Sequence, residues 1–137
     1  MSRVVSLRLK DDEAAELERL ARRFGRRPGA TAALLLAEKL REEEFPFIEF
    51  RNSAVGRQAY VKGSRVTVWQ IVMLARGLDM DARRVAAYLE WPQEQVQAAL
   101  AYAAAYPQEI DPVVDEVENM TFERLKQKIP WLQKTEV

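Results

Sequence analysis

The chain has 137 residues, with 21 basic and 21 acidic side chains and a formal net charge of zero, enough for one domain or two very small ones. It contains no cysteine and no histidine, which excludes disulfides, thiolate chemistry and the commonest general base and metal ligand. No apolar run approaches the length of about 18 residues that suits a membrane span. No signal-peptide pattern is expected ahead of the first structured segment, so the expected compartment is the cytoplasm.

The balanced charge is unevenly spread. Arg3, Arg8 and Lys10 stand in the first ten residues without an acid, and Arg22, Arg23, Arg26 and Arg27 form a second basic cluster. Residues 108–118 carry Glu109, Asp111, Asp115, Glu116 and Glu118 without a base. Such asymmetry is compatible with a chain that meets DNA at one end only.

The first element is "SRVVSLRL", residues 2–9. Val5, Leu7 and Leu9 alternate with Ser6 and Arg8, the period of a strand with one buried face. No second strand lies nearby, and a lone strand leaves its backbone donors and acceptors unpaired. A helix is expected from Asp11 or Asp12, which can cap it, with Ala14, Leu17, Leu20, Ala21 and Phe24 as its apolar stripe and Gly25 just past its end. Pro28 opens a second helix over about 28–44, with Ala33, Leu34, Leu36, Ala37 and Leu40 apolar.

Pro46 ends that helix, and Ile48 and Phe50 hint at a short strand. "RQAYVKGSRVTVW" reads as a hairpin that turns at Lys62–Ser64 between Tyr60–Val61 and Arg65–Val68. Helices follow at about 68–76, 81–89 and 92–106: Gly77 closes the first, Asp79 or Asp81 caps the second and Pro92 opens the third. Three short helices with tight turns allow a helix-turn-helix arrangement. Trp69, Tyr88, Leu89, Val96, Leu100 and Tyr102 are expected in the core. After Pro107 the acidic "QEIDPVVDEVEN" reads as irregular linker. Phe122, Leu125, Ile129 and Leu132 are then spaced as one helix face, limited by Pro130.

A strand–helix–helix unit of this size cannot bury its own apolar faces. Residues 1–44, with the alternating "VVSLRL", the acidic helix start "DDE" and the "FG" between helices, resemble the ribbon-helix-helix repressors of the Arc, MetJ and CopG type. The resemblance implies a homodimer, or a higher assembly, in which two strands pair antiparallel and enter the DNA major groove. The outward residues would be Val4, Ser6 and Arg8, with Arg3 in the same basic end. Arg8 suits guanine and Ser6 either kind of base. Val4 departs from the polar residue usual there, so readout at that position would either be weak or lean on a thymine methyl. At the second helix start Pro28 has no N–H, so Gly29 and Ala30 would supply backbone donors to a phosphate, assisted by Arg26 and Arg27. The alternative is an ordinary edge strand with solvated arginines.

Residues 47–111 resemble an uncharacterised bacterial helix-turn-helix family found in antitoxin-like genes beside PIN-like toxins. The matching elements are Gly63, Ser64, Arg65, Val66, Val68, Gly77 and the run from Ala99–Ala103 through Pro107 to Asp111. Gly63 suits a positive φ in the turn. Arg65 would either bind a DNA phosphate or brace the turn through an acid, and Arg83 and Arg84 would either reach DNA or stay solvated. Antitoxins commonly occupy their toxin with a C-terminal segment. Carried over, Arg124, Lys126 or Lys128 would enter the clustered carboxylates of a PIN-like ribonuclease, with Phe122, Leu125, Ile129, Trp131 and Leu132 as apolar anchors. The alternative is that this segment packs on its own middle domain.

Together these readings predict a mainly α chain. It comprises a ribbon-helix-helix dimerisation and DNA-binding unit (1–44), a small three-helix, helix-turn-helix-like domain with a short β-hairpin (47–111), and an acidic linker with an amphipathic C-terminal segment (112–137). The expected function is that of a VapB-like type II antitoxin, a repressor that binds double-stranded operator DNA and neutralises a PIN-like toxin. The alternative is a stand-alone dimeric DNA-binding regulator. No catalytic residue, metal or cofactor is expected, since the acids lie at helix starts or in the linker with no spacing suited to acid–base work.

Overall fold

The computed structural model describes residues 2–128, apart from the side chains of 121–123 and 125–128. The chain divides into two units, Met1–Glu43 and Glu44–Val137. It is mainly helical with one antiparallel hairpin, and among the described residues no helix is long and apolar enough to cross a membrane.

The first unit holds α1 (Asp11–Phe24) and α2, which begins at Pro28 and runs to Glu44. α1 begins at Asp11 as expected, but neither aspartate caps it. Its N-cap is Lys10, whose N–H donates to Glu13 Oε1 at 2.9 Å, so Glu13 supplies the cap while Asp11 and Asp12 face the positive end of the helix dipole. Gly25 ends α1 at φ 65°, and its N–H closes onto Ala21 and Arg22 carbonyls; a left-handed residue here costs least as glycine. Residues 2–9 form no strand. The alternation is present, but a strand needs a ladder partner, and this stretch has none among the described residues.

In the second unit the hairpin lies one strand earlier than expected. β1 (Ile48–Ser53) pairs with β2 (Gly56–Val61) in the register Ile48↔Val61 to Ser53↔Gly56. Its turn is held by Ser53, whose Oγ donates to the Gly56 carbonyl at 2.9 Å. The Lys62–Ser64 turn does form, with Gly63 at φ 78°. It leads, however, to a single bridge, Tyr60↔Thr67, because Thr67 is already the N-cap of α3 (Val68–Arg76). A capping box fixes that start: Gln70 N–H donates to Thr67 Oγ1 at 3.3 Å, and Thr67 N–H to Gln70 Oε1 at 2.9 Å. α4 (Ala82–Leu89) is capped by Asp81, and α5 (Gln93–Ala105) follows Pro92.

The acidic stretch expected to be linker is helix. α6 runs from Pro107 to Lys128, and Ile110 and Val114 are buried in the same core as Ile48, Val61, Ile71 and Val96. Two apolar residues one turn apart were enough to dock it. Tyr102 on α5 is fully buried at the centre of this packing. Phe45, Phe50 and Tyr106 meet its ring at centroid distances of 5.3, 6.1 and 4.9 Å, and its hydroxyl donates to the Glu109 carboxylate at 3.0 Å.

Arg76, at the end of α3, ties α6 down. Its guanidinium lies 2.7 Å from Asp115, 3.6 Å from Asp111 and 3.6 Å from Glu118. The hydrogen bond to Asp115 above all, with the three nearby negative charges, holds Arg76 above the usual arginine range against an opposing effect of burial. A raised cationic group stabilises at every pH below its unfolded value and loses that contribution only above it, so near neutral pH the responsive variable is salt. Arg76→Ala should cost about 1 kcal/mol at low ionic strength, and chemical denaturation should show the difference narrowing toward about 1 M salt, as expected of a partly exposed cluster.

Candidate nucleic-acid interface

Most of the residues expected to meet DNA lie in the first unit; Arg65 lies in the second. Arg3, Val4, Ser6 and Arg8 are all exposed, as are Arg26, Arg27, Gly29 and Ala30 at the start of α2. Arg3, Arg8, Arg26 and Arg27 make no ion pair or side-chain hydrogen bond among the described residues. The first turn of α2 holds no acid, so the N–H groups of Gly29 and Ala30 keep their positive end unmasked. Buried Thr31 anchors that turn, its Oγ1 donating to the Arg27 carbonyl at 2.9 Å.

The apolar residues of this unit are left largely uncovered. Among its described residues Ala21 is the one fully buried apolar side chain, together with polar Thr31 and Glu38. Val5 is 76% and Leu7 69% exposed. A groove of about 670 Å³ is lined by Leu9, Leu17, Leu20, Ala32 and Leu35, with Glu13, Glu16, Arg19 and Arg23 also along it.

The second unit offers DNA less. Arg65 is exposed and does not brace the turn, having no hydrogen bond or ion pair among the described residues. That work falls to Arg51 and Glu49, which no local sequence pattern marks. Arg51 Nη2 donates to the Ser64 carbonyl, lies 3.0 Å from Glu49 and stacks 4.1 Å above Tyr60, while Glu49 accepts from Gly63 N–H at 3.2 Å. Only their cross-strand placement, Glu49 opposite Tyr60, could have revealed them. Arg83 and Arg84 are exposed, and Arg84 is held by Asp79 at 2.8 Å. The third helix of the helix-turn-helix-like set, α5, carries no lysine or arginine. Tyr88, expected in the core, is 71% exposed, because it projects from the solvent side of α4 while Val85 and Ala86 face inward.

The expected toxin-binding residues divide. Phe122, Arg124, Leu125, Lys126 and Lys128 lie on the last turns of α6, where Arg124 is exposed, whereas Ile129, Trp131 and Leu132 lie outside the described residues. The run from Ala99 to Asp111 has structural duties: Tyr102 bonds Glu109, Ile110 enters the core and Asp111 faces Arg76.

Residues 48–103, from the start of β1 into the last turn of α5, match the model of a family described as a protein of unknown function (DUF433). No curated protein and no solved structure matches the chain.

Proposed function

We propose that this chain is a dimeric DNA-binding regulator whose first unit is completed by a second copy and carries the DNA contacts. The observation behind this reading is the pairing, within residues 2–43, of uncovered apolar side chains with unpaired arginines. Ordering a residue costs about 1–2 kcal/mol of backbone entropy, and one buried alanine cannot offset that for a whole helical pair. A second copy laying Val5, Leu7 and Leu9 beside its own supplies both the missing ladder and the missing apolar cover. Ser6 and Arg8 then fall on the opposite face of the paired strands, where base edges can be read.

Arg8→Ala should weaken binding to a specific operator by about 1–3 kcal/mol, roughly a 5- to 150-fold rise in Kd. Arg26→Ala should weaken binding to all sequences alike and flatten the salt dependence. Electrophoretic mobility shift against the chain's own promoter measures both; unchanged affinity in Arg8→Ala would remove the N-terminal segment from the interface.

A second reading, that the regulator is also an antitoxin, is favoured by the course of α6. Among its residues of described burial the last core residue is Val114, its tie to Arg76 reaches Glu118, and the helix continues to Lys128. These last turns carry the bases and apolar residues suited to an acidic ribonuclease site. Co-expression with the product of the adjacent gene tests this reading: a stable complex, and growth arrest when the neighbour is expressed alone, are the expected results.

A further inference from the structure

The second unit contains a groove that the DNA-binding reading leaves unused. It has a volume of about 500 Å³ and runs between β2 and α6, with Val55 and Ala59 on one side, Trp69 at its floor and Val113, Val117 and Met120 on the other. That volume lies within the roughly 300–1,000 Å³ of small-molecule sites. α6 presents two apolar stripes: Ile110 and Val114 enter the core, while Val113, Val117 and Met120, at helical spacings of four and three, line the groove. Val55 is 80% exposed and Met120 39%, so the walls stay uncovered among the described residues.

Charge decides what such a groove takes. Its charged lining is Arg57, Glu109 and Glu116. Arg57 is turned to the hairpin, donating to Asn52 Oδ1 at 3.3 Å and to the Phe50 carbonyl at 3.4 Å. Glu109 is held by the Tyr102 hydroxyl, which donates to it. Glu116 is exposed and has no ion pair or hydrogen bond among the described residues. Two carboxylates against one engaged guanidinium favour a positive guest, and indole is the best aromatic surface for a cation. The apolar walls favour an organic cation over a metal ion, whose hydration they cannot replace. We propose that this groove binds a small organic cation with an apolar body, its charge set between the Trp69 ring and the Glu116 carboxylate. The valines and Met120 take the apolar body out of water. The site does not depend on DNA binding.

Tetraphenylphosphonium and tetraphenylborate, which share a shape and differ in the sign of their charge, probe the site in the full-length chain. The readout is the methyl resonance of Met120, one of four methionines, assigned through Met120→Leu. Tetraphenylphosphonium should shift it saturably, with half-saturation about tenfold or more below that for tetraphenylborate. The methyl of Met80, exposed in the turn between α3 and α4, should stay in place. Glu116→Gln should weaken the cation by about threefold or more, whereas Glu94→Gln, on α5 outside the groove, should leave its affinity unchanged. Equal responses to the two ions overturn the proposal, as does a Met120 resonance that neither ion moves up to about 1 mM. Unchanged affinity in Glu116→Gln overturns it too. A Met120 resonance that moves with protein concentration alone would assign the groove to a second copy and overturn it as well.

Discussion

Leu7→Asp should leave the chain monomeric and abolish DNA binding, with loss of the far-UV signal of α1 and α2 while the second unit still unfolds cooperatively. Leu7 is 69% exposed in the single chain, so within one copy an aspartate there costs almost nothing. The effect arises only if a second copy covers the position. Covering a leucine stabilises by about 1.5–3 kcal/mol. In a two-fold dimer the side chain occurs twice, so association should weaken by about 10²- to 10⁴-fold before the repulsion of two facing carboxylates is counted. Val5→Asp should act in the same direction, and Ser6→Ala, on the opposite face, should leave association intact. Sedimentation velocity with circular dichroism separates these outcomes. A Leu7→Asp chain that stays dimeric with unchanged helix content would show that α1 and α2 are held some other way.

Tyr102→Ala should be the most damaging single truncation in the second unit, at about 3–5 kcal/mol. The ring is fully buried and is met by three other aromatic rings, so its removal leaves a cavity between α5 and β1 and takes away edge-on contacts with Phe45 and Phe50. Tyr102→Phe isolates the polar part. The Glu109 carboxylate would lose the hydroxyl that donates to it at 3.0 Å, a change expected to cost about 1 kcal/mol because the carboxylate can turn toward water. Urea denaturation of the two variants gives the two magnitudes. A cost for Tyr102→Ala no greater than that for Tyr102→Phe would mean that the core closes over the missing ring.

Where local chemistry decides structure, the elements were legible in the sequence. Gly25 and Pro28 bracket the two-helix turn, Thr67 and Gln70 start α3, and Asp81 caps α4; each acts through backbone groups within four residues of itself. Misreadings came where the deciding contact is distant. The sequence points to a hairpin at Lys62–Ser64, and Gly63 does sit in a tight turn there. Thr67 is claimed by the helix, however, and β2 finds its partner upstream in β1. The stretch "QEIDPVVDEVEN" looks like linker because its charges outnumber its apolar residues. Arg76, some forty residues earlier, holds three of those carboxylates around one guanidinium, and the two apolar residues that matter face one core.

The candidate interface divides in the same way. Arg8, Arg26 and Arg27 could be named from sequence because a basic cluster beside a helix start is a local pattern. The groove floored by Trp69 could not, since its walls come from β2, α3 and α6. Residues 2–9 show the limit most plainly. Their alternation specifies which face is apolar, because side-chain direction in a strand is a property of successive residues. What lies against that face is a matter of pairing, and no pairing partner exists among the described residues. By itself, then, the sequence determined helices α1 to α5, the cap of α4 and the sign of charge at each end, all of which follow from interactions within a turn or two. The tertiary structure alone decided that α6 belongs to the core, that Arg51 and Glu49 rather than Arg65 hold the turn, and that the first unit lacks an apolar core of its own. These depend on which surfaces meet across long stretches of chain, where burial and neutralisation outweigh local preference.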